Sequence, residues 1–82
     1  MFKIDLFLEI IVQVLKTIVG VKKFPSKDDI KIDGNIITIY LELDKEVNVY
    51  QLSLMIEKQL KYKLIDNTDN KKLSIHLNIV NL

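Results

Sequence analysis

Residues 36–65 read IITIYLELDKEVNVYQLSLMIEKQLKYKLI, and this stretch decides the fold. Its first part, Ile36 to Leu43, alternates with period two. Ile37, Ile39, Leu41 and Leu43 fall on one side, and Ile36, Thr38, Tyr40 and Glu42 on the other, the pattern of a half-buried strand. The period then changes. Leu52, Ile56, Leu60 and Leu64 recur every four residues, which stacks them on one face of a helix. Asn48 is a good N-cap, and Gln51 three residues later makes a capping box. Val47 and Leu52 occupy the two positions of a hydrophobic staple around that cap. Glu57 and Lys61 form an i, i+4 pair on the wet side. The helix is expected to end near Ile65, with Asp66 to Asn70 as a loop.

Working outward, Lys72 to Val80 alternates again: Leu73, Ile75, Leu77 and Ile79 against Ser74, His76 and Asn78. This predicts a second strand joined to the first through a helix, and therefore a parallel pair with a right-handed crossover. Upstream, Ile30-Lys31-Ile32 precedes a tight turn at Asp33-Gly34-Asn35, which predicts a hairpin into the long strand. Lys22 to Asp29 reads as a polar connection broken by Pro25 and Ser26.

Asp5, Glu9, Gln13 and Lys16 lie four, four and three residues apart, in one stripe of a helix whose other side is apolar. Asp5 suits its start and Gly20 its stop. A short strand at Phe2 to Ile4 is a further expectation, and partial period-two alternation over Ile4 to Ile10 makes strand the rival reading there. The predicted order is helix, strand, strand, helix, strand. One α+β domain over residues 1–82 follows: a two-layer sandwich with two helices on one face of a small mixed sheet.

The composition narrows the function. The chain has 82 residues, no cysteine, a net charge of +1 and 49% hydrophobic residues. Without cysteine there is no disulfide, thiolate metal site or redox pair. All twelve basic residues are lysine. Bidentate recognition of phosphate or guanine by arginine is thereby unavailable. The apolar run after Phe2 is interrupted by Asp5, Glu9, Gln13 and Lys16. An integral membrane helix wants about 20 apolar residues with few charges, and two early carboxylates are wrong for a signal peptide. The expected location is cytoplasmic.

Catalytic constellations are missing. His76 and Ser74 share the polar face of the last strand about 7 Å apart, too far for a nucleophile–base pair. Asp28, Asp29, Asp44 and Glu46 fall in polar connections, where carboxyl groups stay solvated. Asp66 to Asn70 lacks the glycine and glutamate of a calcium-binding EF-hand loop. Two glycines, Gly20 and Gly34, do not write a phosphate-binding loop. No enzyme, cofactor, metal or small-molecule substrate is expected.

Two binding surfaces remain. The first helix has a broad apolar face in which Phe7, Ile11, Val14 and Ile18 serve either as core or as an interface for self-association or a partner. Tyr40 and His76 belong to the open side of the sheet. The alternative partner is RNA or a ribosome, contacted by a lysine-rich edge built from Lys22, Lys23, Lys58, Lys61, Lys71 and Lys72.

Four places resemble the alkaline shock protein family of Gram-positive bacteria. The first helix runs into Val19-Gly20-Val21. The hairpin turns at Asp33-Gly34 into a long alternating strand. Glu46-Val47-Asn48-Val49 enters the second helix. Thr68 precedes a closing strand, Leu73-Ser74-Ile75-His76-Leu77. The resemblance implies a small, non-enzymatic cytoplasmic protein linked to cell-envelope homeostasis, acting through protein–protein interaction and possible homo-oligomer formation.

Overall fold

The computed structural model describes residues 4–68 and 72–80. Helix α1 (Ile4–Leu15) leads into strand β1 (Val21–Lys23), a 3-10 turn at Lys27–Asp29, strand β2 (Ile30–Asp33), strand β3 (Ile36–Leu43), helix α2 (Val49–Thr68) and strand β4 (Ser74–Val80). The chain is an α+β protein with two helices packed on one side of a four-stranded mixed sheet, and its main elements follow the predicted order.

Strand β3 organises the sheet, because every other strand pairs with it. β4 runs parallel to it along its length, from Ile36↔Ser74 to Glu42↔Val80. β2 pairs antiparallel with its first half, from Ile30↔Ile39 to Asp33↔Ile36. β1 pairs antiparallel with its end, through Val21↔Leu43 and Lys23↔Glu42. β3 has only two edges, so β1 and β2 share one end to end and β4 takes the other. The β2–β3 turn is Gly34-Asn35, and Gly34 adopts the left-handed conformation at φ 58° that a tight hairpin turn requires.

The core lies between the layers. Ile37, Ile39, Leu41 and Leu43 of β3 and Ile75 of β4 meet Leu52, Ile56, Leu60 and Leu64 of α2, and Phe7, Ile11 and Leu15 of α1. Among the described residues, no polar or charged side chain is buried in it. The Gln51 N–H donates to the Asn48 side-chain oxygen at 3.1 Å, which places the N-cap where the sequence predicts it.

Five local features differ from expectation. The connection after Gly20 contains β1, a strand too short to show a period, together with the 3-10 turn. α1 ends at Leu15, not at Gly20. The Thr17 hydroxyl donates to the Val14 carbonyl at 2.7 Å, and the Thr17 and Ile18 amides reach back only three residues, to Val14 and Leu15, tightening the exit. α2 continues past Ile65 to Thr68, and β4 starts at Ser74 rather than Lys72. Ile4 is helical, so α1 takes the rival strand segment Ile4 to Ile10; Phe2 and Lys3 lie outside the described residues.

Candidate interaction surface

The helices cover one face of the sheet, and among the described residues nothing covers the other. Alternation along β3 sends Ile36, Thr38, Tyr40 and Glu42 to that open face. The parallel register sets Ser74 beside Ile36, His76 beside Thr38, Asn78 beside Tyr40 and Val80 beside Glu42. From β2, Lys31 lies opposite Thr38. Its ammonium sits 5.7 Å from the centroid of the Tyr40 ring, a cation–π contact across a diagonal of the sheet.

The result is a mixed surface. Ile36 is 42% exposed, Tyr40 39%, and Val80 45%. Ser74, His76 and Asn78 are exposed between them and carry no fixed charge. At the β1 end, Phe24, Tyr40 and Val80 line a shallow depression together with Lys23 and Glu42. Phe24 was assigned to a polar connection by sequence. Its placement beside Pro25 in a lysine-flanked run is the only signal that marks it.

The structure separates the predicted site residues. Tyr40 and His76 are brought to one face, on adjacent strands and offset by two residues. Phe7, Ile11, Val14 and Ile18 are all buried in the core. The sandwich covers the side of α1 that carries these residues, which removes the four from the surface of the folded chain. Leu6 and Val19 are the exposed apolar residues of that region.

The five described lysines of the alternative site do not form one edge. Lys22 and Lys23 lie in β1 beside the end of β3. Lys72 precedes Ser74, whose amide bonds to the Asn35 carbonyl at the start of β3. About seven strand residues, roughly 23 Å, separate the two groups. Lys58 and Lys61 are exposed on α2, in the helix layer. Lys71 lies outside the described residues.

Ser74 and His76 are both exposed. Among the described residues, no three histidine, aspartate or glutamate side chains gather to hold a metal. The Ser26 backbone N–H and then its hydroxyl, at 2.9 and 3.1 Å, hold the Asp29 carboxyl below its ordinary value, against slight desolvation and with help from the charge of Lys23. That network caps the 3-10 turn. A second hollow, around Gly20, is walled by Lys22, Asp44, Lys45 and Glu46, so it offers no net preference for either sign of charge. No described helix is long and apolar enough to cross a membrane.

Comparisons with family models, with curated proteins and with solved structures return no match to this chain.

Proposed function

We propose that this chain is a non-enzymatic protein-interaction or scaffold domain whose contact surface is the open face of the sheet. One observation carries the reading: an uncovered sheet face on which Ile36, Tyr40 and Val80 stand among Thr38, Ser74, His76 and Asn78, with Lys31 against Tyr40 and Glu42 beside Val80. Protein interfaces combine such aromatic and aliphatic anchors with uncharged hydrogen-bonding groups, and exclude charge from their centre. The resemblance to alkaline shock proteins directs the search for partners to cell-envelope homeostasis.

A photo-crosslinking amino acid at Tyr40 tests this in living cells, with the same group at Gln13, on the exposed stripe of α1, as the control. Protein adducts at position 40 and none at position 13 are expected. Nuclease-sensitive adducts at position 40 transfer the face to an RNA partner. Equal, weak labelling at both positions removes the face from consideration.

A further inference from the structure

The two edges of the sheet are built differently. The edge shared by β1 and β2 is broken into strands of three and four residues, with a register irregularity between Val21 and Lys23. It carries Lys22, Lys23 and Lys31, and Pro25 lies between its two strands. Those are the devices by which sheets avoid pairing with other chains. The outer edge of β4 has none of them. Its seven residues, SIHLNIV, include no lysine, no proline and no formal charge, and no described strand pairs with it.

The direction of its free hydrogen-bonding groups follows from one bond. The Ser74 amide donates to Asn35 of the β3 side at 2.8 Å. Alternate residues repeat that direction, so His76, Asn78 and Val80 also turn their amides toward β3. Ile75, Leu77 and Ile79 direct N–H and C=O outward. Beside them the core is incompletely covered: Leu77 and Ile79 are only partly buried, as are Val49 and Ile65 of α2.

We infer that the β4 edge pairs antiparallel with β4 of a second copy of this chain, about a twofold axis at Leu77. The inference deepens the interaction reading and rests on it. Leu77 meets Leu77 of the second copy, and Ile75 meets Ile79 on either side. These are the residues with outward-facing backbone groups, and the ladder closes about six hydrogen bonds. The same register keeps the helix face apolar on both copies and sets His76 opposite Asn78 on the open face. Charge favours the match as well. On α2, Gln59 and Lys63 border the groove with α1. The opposite flank, over β4, is the i+4 row Val49, Ser53, Glu57, Lys61 and Ile65. The twofold sets these flanks side by side and antiparallel, which brings the Glu57 and Lys61 row of each copy toward the oppositely running row of the other. Two sheets merge into one, with four helices on a single side.

Sedimentation velocity over a micromolar concentration series tests the pairing. Wild type is expected as a dimer. His76→Lys with Asn78→Lys sets like charges opposite each other across the axis, and His76→Glu with Asn78→Glu does the same with the other sign. Each double variant is expected to be folded by circular dichroism and to dimerise about 100-fold more weakly. Mixing the two restores the dimer, which a merely unfolded variant does not do. Glu57→Lys weakens the wild-type dimer independently of the strand. A wild type that stays monomeric overturns the inference, and so does a dimer that survives both double variants or is lost instead with Tyr40→Ser. If wild type is monomeric while the crosslinker at residue 40 still captures protein, the edge pairing fails and the interaction reading stands.

Discussion

Gly20 shows how much one residue can decide. Its φ is 112°, a conformation side-chain-bearing residues rarely adopt. A Cβ there would lie 2.8 Å from both Leu52 Cδ2 and Val47 Cγ1. Those are the two residues of the staple at the start of α2, so the exit of α1 is packed against the entry of α2 through a position with no side chain. The Gly20 carbonyl also accepts the Asp44 amide at 2.8 Å. Gly34 differs: φ is 58° and nothing lies within 4 Å of where a Cβ would be. Alanine at Gly20 is expected to destabilise the fold by about 2 to 4 kcal/mol, since overpacking adds to the backbone penalty. Alanine at Gly34 is expected to cost about 1 kcal/mol, the backbone part alone. Urea titration of both variants checks this, and equal losses would refute the packing account. The sequence marks Gly20 as a helix stop, but it does not disclose that two distant apolar side chains close over it. That contact is tertiary.

At the scale of elements, strong periods were legible and short or irregular pieces were not. α2 reads directly from Leu52, Ile56, Leu60 and Leu64, all of which are buried. Its start reads from Asn48, whose cap bond is present. Replacing Asn48 with alanine is expected to lower stability by about 1 kcal/mol, and replacing it with glycine by only a few tenths. Thermal melts of the pair that rank them the other way would remove the capping role. β3 and β4 read from alternation because each is long enough to show it. β1 is not legible: three residues carry no period, and Val21 is placed by the end of β3 rather than by its neighbours. The 3-10 turn is held by Ser26 and Asp29, residues that also suit an ordinary loop. The Lys27–Asp5 ion pair at 3.0 Å joins this turn to the start of α1, but both side chains are well exposed and such pairs contribute little.

For the whole molecule, the open question in the sequence was which apolar surface is core and which is left over. An isolated helix pattern shows how broad the dry face of α1 is, but not how much sheet is available to cover it. β1 and β2 together extend the sheet on the α1 side, and the dry face is consumed. Ile11→Ala is therefore expected to reduce folding stability by about 2 to 5 kcal/mol, while crosslinking through residue 40 persists at temperatures where the variant is folded. Loss of crosslinking without loss of stability would return α1 to the surface. Tyr40 and His76 were legible as open-face residues because a period of two assigns sides without tertiary knowledge. The scatter of the lysines was not legible, since it depends on which end of β3 each connection reaches. The central place of β3 also bears on how the chain is made. Synthesis proceeds from the N-terminus, so the β2–β3 hairpin can close while residues 74–80 are still inside the ribosome. The remaining edge of β3 must wait for α2 to be completed and for β4 to emerge. During that interval the nascent chain exposes the edge of its central strand, the kind of unpaired backbone on which sheets of different chains join.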